Sequence, residues 1–214
     1  MRSFTRSPRA LRARLAQVLL PCVAAAAVVA CGGGGSSNPF DNPPDVTNPA
    51  GVSGQKLSFA YFQRCINPIF LAQLQTNQGG TVSTQTCAGS GCHDSTTGTG
   101  GALRITPSAT VLDVTDPANT PDVIRASNMY KNFYSAQGSV VIGQPTHSRL
   151  LTKPLLMQVL HGGGLIFLSD QDPNAKLMQY WITHAVPAGA DEFSTASNGM
   201  FTPPDPNTGT CNTQ

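Results

Sequence analysis

The 214-residue chain predicts a mainly α fold with long loop insertions and few short strands. Three observations carry this. Phe59, Phe62 and Ile66 recur at helical spacing behind Ser58, whose hydroxyl suits an N-cap. Thr120-Pro121-Asp122 sets a capping oxygen before a first-turn proline, and Asp172-Pro173 does the same. Between these starts the chain is rich in Gly, Thr, Asn and Pro, the composition of loops.

Taken in order, the chain begins with Arg2, Arg6, Arg9, Arg12 and Arg14 and no acid. An apolar run from Leu15 to Ala30 follows, interrupted by Pro21 and too short for a membrane span. A basic start, a short apolar run and small residues before a cut site predict an export signal over residues 1–30. With Cys31 at the cut site, Val28-Val29-Ala30-Cys31 resembles a bacterial lipobox. The resemblance implies that Cys31 becomes the lipidated first residue. Gly32 behind it implies sorting to the outer membrane. Residues 31–56 are Gly-, Ser-, Asn- and Pro-rich, and predict a flexible tether. The folded part is expected over residues 57–214. Without residues 1–30, eight Lys and Arg against eleven Asp and Glu leave a net charge of −3, so no basic stripe suggests nucleic-acid binding.

Within the domain, the first helix is expected from Ser58 to Ile66, restarting at Asn67-Pro68 through Leu74. Asn77 to Thr86 reads as a polar loop. Ala102-Leu103-Arg104-Ile105 and Ser139-Val140-Val141-Ile142-Gly143 read as extended pieces, separated by a helix from Thr120 to about Tyr134. The last helix carries Leu177, Met178, Tyr180, Trp181 and Ile182, and stops before Pro187.

The chemistry concentrates in Cys87-Ala88-Gly89-Ser90-Gly91-Cys92-His93. Two thiols followed at once by an imidazole resemble a c-type haem attachment site, here in its four-residue spacing. That resemblance implies one covalent haem c on Cys87 and Cys92, with His93 as proximal iron ligand. Small filler residues would let the longer loop fold against a porphyrin edge. A Cys87–Cys92 disulfide remains open in an oxidising compartment, and so does a Cys/Cys/His zinc site lacking its usual second pair of ligands. Cys22 leaves with the export signal and Cys31 takes lipid. Cys65 and Cys211 then remain as an even pair, most simply one disulfide.

The order of an apolar helix, a thiol pair with His, and a C-terminal aromatic helix resembles a class I cytochrome c. In that family the last helix crosses the first. Departures are the long loop before Cys87 and the insertions around 77–86 and 94–140. Ser148-Arg149-Leu150-Leu151-Thr152-Lys153-Pro154, His161-Gly162-Gly163-Gly164 and Trp181-Ile182 resemble the cytochrome-like domains of exported bacterial proteins. The resemblance spans roughly Cys87 to Ala190.

A sixth iron ligand must then come from Met129, His147, Met157, His161, Met178, His184 or Met200. His161 is favoured because it ends the helix-like run Leu155–Leu160, and three glycines follow it. Met157, one helical turn earlier, is the alternative. Arg149 and Lys153 are candidate partners for haem propionates, or plain solvated surface. His-Gly-Gly-Gly also occurs in esterase oxyanion loops, but no Gly-x-Ser-x-Gly elbow accompanies it.

The function expected is electron transfer with redox partner proteins of the cell envelope. No catalysis is expected unless the distal side is open to peroxidase-like chemistry. The alternative is a disulfide-stapled exported lipoprotein with a binding or structural role and no cofactor.

Overall fold

Ser58 organises the start of the fold. Its Oγ accepts from the N–H of Tyr61 at 3.1 Å and its carbonyl accepts from Trp181 Nε1–H at 3.0 Å, so one residue caps the first helix and receives the last. The computed structural model describes residues 56–214. The expected export signal, the expected lipidation site Cys31 and the expected tether up to residue 55 lie outside them. Among the described residues no helix is long and apolar enough to cross a membrane.

Helix α1 (Phe59–Tyr61) passes into a π-helical turn, Phe62–Ile66, and then α2 (Asn67–Leu71). The widening has a local cause. Pro68 offers no N–H to the carbonyl four residues back, and Asn67 N–H reaches Phe62 O, five back. A hairpin follows: β1 (Leu74–Gln78) pairs antiparallel with β2 (Thr81–Gln85). Helices α3 (Pro121–Ala126) and α4 (Asn128–Gln137) come next, then the short α5 (Arg149–Thr152) and α6 (Pro173–Thr183). A two-residue ribbon, β3 (Phe201–Thr202) with β4 (Thr210–Cys211), closes the chain.

Trp181 on α6 sits fully buried at the centre, with its ring 5.4 Å from Phe62 and 6.1 Å from Phe133 of α4. Phe59, Phe62 and Phe133 meet edge-on at 5.4–5.5 Å around it. Such contacts contribute about 0.5–1.5 kcal/mol each beyond the burial of their area. The first and last helices therefore share one aromatic core.

The expectation of a mainly α, cytochrome c-like fold is overturned: helix of all kinds makes up 33% and strand 12% of the described residues, and the six α-helices are short. Side-chain competition for the backbone is the reason. Asp94, Asp113, Asp116, Asp191 and Asp205 each accept from a backbone N–H two residues on, which closes turns throughout the long stretches outside the helices. Ser127, extended at ψ 157°, splits the expected 120–134 helix in two by capping α4 through its own side chain. The expected polar loop at 77–86 is instead strand. Gly79 and Gly80 take φ of +59° and +87° between paired Gln78 and Thr81, the two-residue turn that joins twisted strands. Consequently α2 ends at Leu71, not Leu74. Residues 139–143 form turns rather than an extended piece, with Ser139 N–H on Ala136 O and Gly143 N–H on Ile182 O.

Two ties hold this loop-rich frame. Cys65 and Cys211 are joined by a disulfide across a sequence separation of 146. Glu192, almost fully buried, gathers Arg125 Nη2 at 3.0 Å, Tyr130 Oη–H at 2.8 Å and Lys56 Nζ at 3.4 Å, while its own carbonyl accepts from Phe59 N–H. Burial works most strongly against its charge. Its own backbone N–H, Tyr130, Arg125 and Lys56 outweigh that, so its pKa falls below the ordinary 4.5.

A carboxyl with a depressed folded pKa adds stability that is present above its unfolded value and lost as pH falls through the folded one. Glu192→Gln should therefore cost about 2 kcal/mol at neutral pH, with the difference from wild type shrinking steadily below about pH 4.5 in acid titrations of urea stability. An equal deficit at pH 7 and pH 3 would mean the loss is one of packing alone. Cys211→Ala should lower unfolding free energy by roughly 4–5 kcal/mol under oxidising conditions and change nothing under reducing ones.

Candidate functional site

The end of α2 positions the thiol–imidazole stretch. Phe70 O accepts from Ala88 N–H at 2.9 Å and from Thr86 Oγ1–H at 2.7 Å, which anchors Cys87 beside the aromatic core. The stretch then coils on itself, with Cys92 N–H on Gly89 O and His93 N–H on Cys87 O at 2.9–3.0 Å. Residues 102–106 fold back over it. Ile105 N–H bonds His93 O at 2.7 Å, and Ser95 N–H bonds Ile105 O at 2.8 Å. Helix α4 holds this strap from behind through Asn132 Oδ1, 2.7 Å from Thr106 N–H, and Ser135 Oγ, 2.6 Å from Arg104 N–H. The insertion at 94–140 thus serves as a bracket for His93.

The orientation of His93 is set from two sides. Its Nδ1–H donates to Leu103 O at 3.1 Å. Gly100 packs against the ring so closely that a Cβ there would lie 2.6 Å from His93 Cε1 and Nδ1. His161 is held similarly, its Nδ1–H donating to Gly164 O at 2.8 Å. Among the described residues neither Nε2 has a hydrogen-bond partner. The two rings face one another nearly parallel, 15° apart in plane and 6.3 Å apart in centroid.

Both imidazoles line a cavity of about 490 Å³ together with Cys87, Cys92 and Lys153, and the β hairpin walls it with Thr76, Gln78, Ser83 and Gln85. That volume lies within the roughly 300–1,000 Å³ of small-molecule and cofactor sites. A second cavity of about 130 Å³ adjoins it, lined by Phe70, Leu103, Leu150, Phe167 and Met178, with Arg149 and Lys153 at its polar side. Among the described residues, only cations supply charge to these walls.

Burial, reinforced by the charge of Lys153, lowers the pKa of both His93 and His161, against the opposing pull of their carbonyl partners. Both rings are therefore neutral at pH 7, the form that donates a lone pair to a metal. Burial, and next the neighbouring Cys92, raises the Cys87 thiol to about 11. Cys87 is thus protonated at neutral pH, unlike a nucleophilic or redox-active thiolate.

Most of the residues singled out by sequence meet here: Cys87, Cys92, His93, His161 and Lys153 in the larger cavity, Arg149 in the smaller. Met157 does not. Residues 155–160 form turns, with Leu156 and Gln158 at positive φ, so Met157 has no helical face to share with His161 and is largely exposed. Met129 and Met200 are core residues, Met178 lines the smaller cavity, His147 is exposed, and His184 stacks on Tyr180. Leu103, Gly100 and Gly164 were missed, because nothing in their own sequence marks a carbonyl or a bare Cα as a support for a ring. The hairpin was legible in principle from Gly79-Gly80 between Thr- and Val-containing runs.

The donor set fits a haem. Two neutral imidazoles have their Nδ1–H groups committed to carbonyls, as histidines do when the other ring nitrogen carries a metal. Cys87 and Cys92 are free thiols on the wall of the same cavity. A zinc site would need three or four converging donors. Among the described residues no group of three or more His, Cys, Asp and Glu is placed to hold a metal ion. The chain matches no family model, no curated protein and no solved structure.

Proposed function

We propose that this protein carries single electrons in the cell envelope by means of one covalently attached c-type haem. The observation behind it is the pair of neutral, near-parallel imidazoles of His93 and His161, 6.3 Å apart in a cavity walled by two free thiols. In this reading Cys87 and Cys92 would hold the group as thioethers, and His93 and His161 would donate to its iron. Arg149 and Lys153 supply positive charge for its propionates. When bound, such a group supplies reversible one-electron chemistry.

The chain's own residues do the rest. Leu103 O and Gly164 O hold each ring in the Nδ1–H tautomer, which points the lone pair of each Nε2 away from its carbonyl partner. Phe70, Leu150, Phe167 and Met178 keep water from the inner edge of the site. If both imidazoles are committed to the iron, no position would be left for a substrate, which favours electron transfer over catalysis. A lipid at Cys31 and the tether would hold the domain at the outer membrane, within reach of redox partner proteins.

The second reading is a stapled lipoprotein without cofactor, and the Cys65–Cys211 disulfide is the observation that suits it. Expression in a host with haem c maturation machinery separates the two. A pyridine haemochrome with a c-type α-band, retained by the acid–acetone-extracted polypeptide and lost in Cys87→Ala/Cys92→Ala, is the expected result. A colourless wild-type protein matured in that host would leave the stapled lipoprotein.

His161→Ala should convert a low-spin optical spectrum to high-spin while leaving the covalent haem content unchanged. A variant that stays low-spin would remove His161 as the sixth ligand.

A further inference from the structure

His161 sits on a segment that does not hold itself in place. Leu156 and Gln158, neither of them glycine, take φ of +51° and +58°, a region that costs such residues about 1–3 kcal/mol and persists only where the surroundings enforce it. The segment makes two kinds of attachment. At its neck, Ile166 and Phe167 N–H both reach Pro154 O, at 2.8 and 3.2 Å. Among the described residues, the hydrogen bonds that tie residues 162–165 to another element come from the hairpin. Asn77 N–H donates to Leu165 O and Leu165 N–H to Asn77 O, both at 2.8 Å. Gln78 Nε2–H donates to Gly162 O at 3.1 Å.

Gly164 is the point where the two pieces touch. It is buried, at φ +75°, and a Cβ on it would lie 2.4 Å from Asn77 O and 2.9 Å from Asn77 C. Those are backbone atoms of a paired strand and have no rotamer by which to move aside. The same residue's carbonyl accepts the Nδ1–H of His161. One link thus runs from the hairpin backbone through Gly164 to the ring.

We propose that the β1–β2 hairpin is the device that positions the second imidazole, and that Gly164 is its positioning residue. The inference rests on the haem reading only for its main readout. The polar 74–85 stretch, which neither supplies a ligand nor adds to the aromatic core, acquires a role: it fixes the distance and tautomer of His161 relative to His93.

The test compares full-length wild type, Gly164→Ala and Gln78→Ala, matured in the haem-competent host. Pyridine haemochrome reports attachment, and the optical and EPR spectra report ligation separately. Gly164→Ala should keep covalent haem and its circular dichroism, yet shift the ratio of six- to five-coordinate iron by about tenfold toward five-coordinate. Added imidazole should restore the low-spin spectrum. Gln78→Ala, which removes one side-chain tie and cannot disturb the fold's core, should shift the ratio in the same direction by a smaller factor. Low-spin spectra and midpoint potentials identical to wild type in the Gly164→Ala variant, or in Gln78→Ala should the former not fold, overturn the positioning role.

Absence of haem from wild type would instead sink the haem reading. Imidazole ¹⁵N NMR of the same proteins then decides the positioning role by itself. Loss of the Nδ1–H tautomer of His161 in the variants supports it, and an unchanged tautomer overturns it.

Discussion

Each of the two imidazoles donates its Nδ1–H to a backbone carbonyl, Leu103 O for His93 and Gly164 O for His161, and the rest of the site follows from that pair of hydrogen bonds. A ring tied through one nitrogen presents the other as a lone-pair donor, and burial keeps it uncharged. A carbonyl can do this only if its own backbone is immobile. Much of the irregular structure is accordingly spent on immobilising two peptide groups. Residue 103 is held by the strap that Asn132 and Ser135 of α4 bind from behind, and residue 164 by the hairpin. The two long insertions are therefore the brackets of the site.

These brackets stand on a frame with little regular structure, which places unusual weight on a few interactions. The largest fully buried side chains are the aromatic rings around Trp181, and they come from both ends of the domain: α1, the π turn and α2 on one side, α6 on the other. Glu192 draws Lys56, Arg125 of α3 and the Tyr130 hydroxyl of α4 onto one buried carboxylate. Such a group is worth most when all its partners are present, and would be costly if it lost them. Both features leave the cavity side of α2 and α5 free to line the site.

Several local features were legible because they depend on neighbours in sequence. Ser58, Thr120 and Asp172 do cap helices, since an N-cap needs only an oxygen and the N–H groups two or three residues on. The adjacency of Cys92 and His93 is a covalent fact. The helix content was misjudged for an equally local reason. Apolar spacing suggested long helices, while the Asp, Ser and Gly between them close turns more cheaply than helices. The run before His161 shows the same error, with an apolar pattern but two residues in left-handed backbone.

By itself the sequence determined the chemistry available: two thiols beside one imidazole, a second imidazole followed by three glycines, cations at 149 and 153, and a remaining pair of cysteines. Those are matters of residue identity and near spacing. The tertiary structure alone decided which of the distant groups meet. His93 and His161 lie side by side and Met157 turns out to solvent, whereas the Cys65–Cys211 disulfide is the pairing that cysteine parity already indicates. The physical reason is that such meetings depend on where loops close, and closure of the His161 segment rests largely on backbone contacts such as Asn77 with Leu165, to which side-chain identity adds the Gln78 tie and the absence of a Cβ at Gly164.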